Sequence, residues 1–345
     1  WMYGGADEDY VNGGNGDDTL MGGTNDDTLI GAEGNDNLDG GDGEDYLDGG
    51  EGADSLEGGD DRDEIEAGAG EDTVNGGIGD DYMDGGRDDD SMHGGKGDDY
   101  MEGGEGDDTM SGGSGDDWMD GEDGQDLMRG GAGEDTMDGG DSADTMYGGG
   151  DDDDMYGGDA KDSMYGENGN DYMDGGDEND TMLGGLQDDT MFGGDGNDQM
   201  DGEEGNDILA GEAGSDVLTG GDGNDAFVFD VSVDTVSGAS YLDDDPGRVT
   251  VDVITDFEHG YILEENDALV FNTGGELSTA SELDDYVTVQ EQGTDIIIYF
   301  DRDGMDNDPR LPPEDAIVLV DAGSGIGAIN SLEDMVFANM TIDVI

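Results

Sequence analysis

An all-β solenoid is the fold class predicted, and three observations predict it. A nine-residue unit recurs 25 times from Gly4 to Gly220 without insertion or deletion, the sixth place of every unit is aspartate, and the eighth is a large apolar residue. A fixed short period of this kind is the signature of stacked repeats. A further observation sets the turn. Place seven is aromatic in many odd units (Tyr10, Tyr46, Tyr82, Tyr100, Trp118, Tyr172), whereas even units carry Thr19, Asn37, Ser55, Thr73, Ser91, Thr109, Thr145, Ser163 and Thr181 there. The true period is therefore eighteen, two units per turn.

Each part of the unit has its own reason. In Gly13-Gly14-Asn15-Gly16-Asp17-Asp18-Thr19-Leu20-Met21, glycines at places one, two and four are expected to turn the backbone with positive φ and expose their carbonyls. Places seven to nine then read as a strand, with seven outward and eight inward. Place eight is Val11, Leu20, Leu29, Leu38, Leu47, Leu56, Ile65 and Val74, then methionine fourteen times from Met83 to Met200. Stacked thioethers can hold Cu(I). Core packing is the stronger reading, because methionine is an adaptable filler and no cysteine and only His93 and His259 accompany it. The place-seven aromatics are expected to stack along the ladder, the alternative being a stripe that docks a partner or a saccharide.

The place-six carboxylates and the loop carbonyls form a hard oxygen donor set. Ca2+ takes roughly six to eight oxygens in flexible geometry, Mg2+ demands a tighter octahedron, and zinc prefers nitrogen or sulfur. Calcium is the expected ion. The sustained unit resembles the RTX family of calcium-binding, hemolysin-type repeats, over residues 4 to about 229. That resemblance implies a right-handed parallel β-roll in which loops alternate with three-residue strands and calcium sits between successive loops along each edge. It places Asp9, Asp27, Asp45, Asp63, Asp81, Asp99, Asp117, Asp135, Asp153, Asp171, Asp189, Asp207 and Asp225 on one edge. Asp18, Asp36, Asp54, Asp72, Asp90, Asp108, Asp126, Asp144, Asp162, Asp180, Asp198 and Asp216 fall on the other. The candidate carbonyl donors are those of Gly14, Gly16, Gly41, Gly43, Gly50, Gly52, Gly95, Gly97, Gly104, Gly106, Gly113, Gly115, Gly194, Gly196, Gly221 and Gly223. About 23 gaps separate same-edge loops.

Charge narrows the partners. With 98 acidic residues against eight basic ones and a formal charge of −90, like-charge repulsion disfavours nucleic acid and anionic membranes. Without cations the repeats should be disordered, so folding and metal binding are one event. Extracellular calcium modules are tuned to roughly 10⁻⁴–10⁻³ M, which places the folded chain outside the cell. Between residues 140 and 190, Ser142, Asp151, Ala160, Glu178 and Gln187 replace the place-four glycine and Lys161 adjoins Asp162; these loops are expected to resist positive φ and bind most weakly. Trp1-Met2-Tyr3 occupy places seven to nine of a preceding unit, so the chain is expected to be a piece of a longer or processed protein.

From about residue 226 glycine thins out, and β-rich runs fall at Ala226–Phe229, Val249–Phe257, Ala268–Phe271, Tyr286–Val289, Thr294–Phe300 and Ala316–Val320. Gly223–Phe229, Val253–Phe257, Asp295–Ile298 and Asp343–Ile345 resemble the C-terminal secretion domain of RTX proteins, with a longer segment at Tyr261–Asn266. That resemblance implies a cap on the roll, at 226–345, carrying a signal for a bacterial type I secretion machinery. Asp301–Asp308 reads as a hairpin tip, since Pro312 stands where an EF-hand needs its bidentate glutamate. Neither G-x-S-x-G nor H-E-x-x-H occurs, and no catalytic constellation is expected in this stretch. Three functions stay open: a secreted calcium-binding structural or adhesive module, the secretion and folding module of a larger enzyme or toxin, and an ice- or mineral-binding surface on the Thr/Ser face.

Overall fold

The structure is a computed structural model that describes residues 1–230 and the backbone of six later strands, Thr250–Ile254, Ala268–Asn272, Val287–Gln292, Asp295–Phe300, Asp315–Leu319 and Thr341–Val344. It divides into two compact units, Trp1–Tyr172 and Met173–Ile345. His259, Tyr261–Asn266 and Asp301–Asp308 lie outside the described residues.

In Trp1–Tyr172 the chain forms parallel strands paired at an offset of eighteen, as in Thr19↔Asn37, Leu20↔Leu38 and Gly23↔Gly41. Strands from even units (Thr19–Thr24, Asn37–Asp42, Ser55–Asp60) build one sheet, and those from odd units (Tyr10–Asn15, Thr28–Glu33, Tyr46–Glu51) build the other. Most strands run six residues rather than three. Places one to three of the next unit stay extended and pair with the turn beside them, as Gly41↔Gly59 and Asp42↔Asp60 do. Strands shorten to three residues at Thr136–Asp138 and Asp154–Tyr156, where the following units carry Ser142 and Ala160 at place four.

Period-two alternation decides what faces inward. Asp45, Leu47 and Gly49 are buried, while Tyr46 and Asp48 between them are half-exposed, so places six, eight and one line the interior. Leu20 through Leu56 and Met83 through Met164 are nearly or wholly inaccessible, which confirms place eight as the core column. Burial of such a side chain contributes about 1.5–3 kcal/mol. On the outer face Tyr82, Tyr100 and Trp118 stack with centroids 5.2 and 4.2 Å apart; Tyr147 and Tyr165, at place nine, stack at 4.7 Å. Ring faces within these columns therefore meet one another.

In Met173–Ile345 the same offset joins Thr181–Leu186 to Gln199–Glu204 and Thr190–Phe192 to Ile208–Ala210. The ladders then run through the last unit into strands beyond the repeats. Ile208–Ala210 pairs in parallel with Ala226–Asp230, and that strand with Ala268–Asn272; Val217–Thr219 pairs with Thr250–Ile254. Val287–Gln292 and Asp295–Phe300 form an antiparallel hairpin joined to Asp315–Leu319. The strand Thr341–Val344, beside Ala268–Asn272, is not among the expected β-rich runs; it is only four residues long, Thr-Ile-Asp-Val. Among the described residues no helix is long and apolar enough to cross a membrane.

Candidate metal-binding loops

Every place-six aspartate from Asp27 to Asp225 is at most 3% exposed; Asp9 and Asp18, in the first turn, are half-buried. Alternation drives these carboxylates inward, because place six shares the strand face of place eight. Each edge then becomes a ladder. The backbone N–H of Asp9 donates to Oδ1 of Asp27 at 2.7 Å, Asp27 to Asp45 at 2.7 Å, and Asp45 to Asp63 at 2.8 Å. On the other edge Asp18 donates to Asp36 and Asp36 to Asp54, both at 2.7 Å. In Met173–Ile345, Asp189 donates to Asp207 at 2.9 Å and Asp207 to Asp225 at 3.0 Å.

The second oxygen has a different fate. Oδ2 of every place-six aspartate from Asp27 to Asp153, and of Asp207, is buried without a hydrogen-bond partner. A buried carboxylate oxygen left this way costs several kcal/mol unless a charge or a donor meets it. Against the 25 place-six aspartates the repeats hold only Arg62, Arg87, Lys96, Arg129 and Lys161. Their own side chains cannot neutralise the ladders.

Burial, assisted by the neighbouring carboxylates and opposed by the backbone donors, pushes these acids up. Asp63, Asp90, Asp144 and Asp153 reach about 8. Asp99, Asp117 and Asp126 reach about 7, and Asp45, Asp72, Asp108 and Asp207 about 6. At Asp81, also about 6, the Arg62 charge opposes the rise.

Glycine at place one has a reason other than the one expected. None of these glycines takes positive φ; they are small because the carboxylate lies against them. A Cβ on Gly103 would sit 2.6 Å from Asp108 Oδ2 and 2.9 Å from the Gly121 carbonyl oxygen of the next turn. The missing side chain leaves carboxylate and carbonyl facing one space. Ala67 is the exception, with its methyl in the unit of Asp72.

Places two and four do take positive φ. Among the candidate carbonyl donors, Gly14, Gly16, Gly41, Gly43, Gly50, Gly52, Gly95, Gly97, Gly104, Gly106, Gly113, Gly115, Gly194, Gly221 and Gly223 lie between 90° and 157°, and Gly196 does not. Place-two carbonyls join the strand ladder, as when Gly194 O accepts from Ala213 N–H at 2.9 Å. At place four the carbonyls line the loop turn over turn; a Cβ on Gly52 would collide with Gly34 O. Ala160, Glu178 and Gln187, expected to resist this conformation, nevertheless adopt φ of 81°, 78° and 85°, as Ser142 and Asp151 do at 84° and 78°. Asn25, Asp61 and Asp88 at place four, and Ala32, Glu122, Glu167, Glu203 and Glu212 at place two, do the same. The stacked neighbours impose the bend.

Place five, where acidic pairs such as Asp17-Asp18 and Asp80-Asp81 read only as loop residues, carries a second ladder. Its exposed Asp and Asn side chains accept from the N–H one turn later, as Asp80 Oδ1 from Asp98 at 3.0 Å and Asp188 Oδ1 from Asn206 at 2.8 Å. It runs opposite to the place-six ladder. The signal was present as recurrent Asp and Asn at residues 17, 26, 35, 80, 89, 98, 107 and 116. Asn206 donors hold the Asp188 carboxyl below its usual range.

Among the described residues no three His, Cys, Asp or Glu side chains gather, so an ion here must complete its shell with main-chain carbonyls. Loops supplying one carboxylate each plus carbonyl oxygens fit a large, hard cation of flexible geometry. The family model described as RTX calcium-binding nonapeptide repeat (4 copies) matches in successive and overlapping windows from residue 1 to residue 236. The chain belongs to the RTX calcium-binding nonapeptide-repeat family. Its all-β parallel solenoid is the architecture that the RTX resemblance implied, and RTX repeats as a family bind calcium. Among solved structures, the AlgE6R3 subunit from the Azotobacter vinelandii mannuronan C5-epimerase is similar at 27% identity over 42% of this chain and 72% of the other, with a TM-score of 0.26. No curated protein sequence matches this RTX chain closely enough to count as a relative.

Proposed function

We propose that residues 1–225 hold calcium ions between successive loops of each edge, and that this binding folds the roll outside the cell. The observation that carries the reading is the register of buried place-six carboxylates, each from Asp27 to Asp153 with one oxygen lacking a partner. The place-six aspartates would supply Oδ2, and loop carbonyls such as those of Gly43 and Gly52 would complete the shell. A bound ion supplies the positive charge that five basic side chains cannot, and in its absence the ladders repel.

The chain would then act as a secreted, rigid structural or adhesive module. Residues 226–345, through their likeness to RTX secretion domains, would cap the roll and carry the type I secretion signal. The ladders that run on into Ala226–Asp230 and Thr250–Ile254 also favour a second reading, a folding and secretion module serving a larger enzyme or toxin. The mineral-binding alternative is weaker, because Leu127, Gln199 and Val217 interrupt the Thr/Ser column.

Circular dichroism of the full chain in chelator and then in millimolar calcium, with bound ions counted by equilibrium dialysis, tests the central claim. Loss of β-structure in chelator and uptake of many ions on refolding are expected. Undiminished β-structure after complete metal removal would sink it.

A further inference from the structure

Fourteen successive units, Met83 to Met200, put methionine at the inward place eight, and each is at most 2% exposed. They stack on their own kind: Met83 on Met101 on Met119 in one sheet, Met92 on Met110 on Met128 in the other. Filling a core needs only apolar bulk, and the eight preceding units supply it with Val, Leu and Ile. What methionine adds is a thioether that accepts oxygen from a hydroperoxide wherever the peroxide can reach it.

We propose that this column is an oxidation site gated by the metal state of the loops: the folded roll closes it, and oxidation of the metal-free chain blocks folding. The proposal rests on the calcium-dependent folding argued above. The sulfur lone pair attacks one peroxide oxygen, the O–O bond breaks as the S–O bond forms, and the departing hydroxide takes the proton from the transferred oxygen and leaves as water. Sulfur loses two electrons and the peroxide gains them. The sulfoxide oxygen is a strong acceptor with no donor waiting for it. Its inward neighbours are other methionines, place-six carboxylates, and place-one glycines whose N–H groups serve the ladder, as that of Gly139 does to Tyr156 O. Each sulfoxide would be a buried polar group without a partner, repeated in fourteen successive units from Met83 to Met200.

The test treats the full chain with hydrogen peroxide in millimolar calcium and, separately, in chelator. Sulfoxide is then quantified peptide by peptide. Met21, at place nine and half-exposed, is the internal reference. In calcium, Met83 to Met200 should oxidise at least about tenfold more slowly than Met21, by protection in the folded state; in chelator all should keep pace with it. Chain oxidised in chelator should not regain β-structure at the calcium concentration that folds untreated chain, and enzymatic reduction of the sulfoxides should restore it. Equal oxidation of core and reference in calcium overturns the proposal, as does refolding of the sulfoxide chain at an unchanged calcium midpoint. Dichroism of untreated chain separates the two claims. If it keeps its β-structure and its methionine protection in chelator, the calcium reading falls and the gating with it. If it unfolds in chelator but the sulfoxide form refolds, only the oxidation proposal falls.

Discussion

At the scale of single residues the roll is governed by where a Cβ can go. Gly103 shows the constraint at place one, where the neighbours are a carboxylate and a backbone carbonyl rather than a flexible side-chain tip. Gly103→Ala should therefore lower the melting temperature in calcium and raise the calcium midpoint, at a cost of about 1–3 kcal/mol, as overpacking does. An unchanged melt and midpoint would show that Asp108 yields freely. Places two and four impose a different constraint, on φ. Gln187 is held at 85°, a left-handed conformation that costs a side-chain-bearing residue roughly 1–2 kcal/mol. Gln187→Gly removes that strain but adds glycine's entropy in the unfolded chain, so a gain of up to about 1 kcal/mol is expected by denaturant melting. Destabilisation by the glycine would mean the Gln187 side chain contributes contacts that outweigh the strain.

At the scale of the element, a loop edge is a column of buried acids, and its protonation opposes or replaces its metal. Burial raises the place-six carboxyls from an ordinary value of 3.8 to about 6 at Asp45 and about 8 at Asp63 and Asp90. A group whose pKa is raised on folding favours the folded state below the unfolded value and loses that contribution as pH rises through the folded one. Metal-free roll should therefore keep more β-structure near pH 4–5 than at pH 8, with the loss falling between about pH 4 and 8. Calcium binds the ionised form, so its midpoint should tighten as pH rises, and binding near pH 6.5 should release protons. Dichroism of metal-stripped chain across this range, with proton release followed in weak buffer, reads both. Metal-free structure that strengthens towards pH 8 would contradict the burial of these acids.

At the scale of the molecule, a solenoid's end exposes its core section and unpaired backbone, and needs a cap. Ala268–Asn272 pairs in parallel with Ala226–Asp230, the strand of the last unit, and Thr250–Ile254 with Val217–Thr219, so the final turn already has partners. A first turn formed in open chain must instead order about 18 residues at roughly 1–2 kcal/mol each before stacking repays it. Residues 1–225 alone should need more calcium than the full chain and fold less cooperatively. Equal midpoints and equal cooperativity in parallel calcium titrations would leave 226–345 no capping role.

Most of the repeat was legible in advance because its signals are local and periodic. Period nine marked the unit, alternating Tyr and Thr at place seven marked the eighteen-residue turn, and the Leu-to-Met column marked the core. Those readings need only the two-residue periodicity of a strand. Beyond residue 226 five strands nearly coincide with their apolar runs, yet their partners were hidden, since pairing Ala226–Asp230 with Ala268–Asn272 depends on how a long connection folds back. What only the tertiary structure decided are contacts between turns: that place-one glycine is small because an aspartate oxygen and the next turn's carbonyl press against its Cα, that among the described residues thirteen non-glycines bend to positive φ under their stacked neighbours, and that place five forms a counter-running ladder. Each depends on atoms eighteen residues apart in the chain and in direct contact in space, a relation that a nine-residue pattern implies in register but does not resolve in geometry.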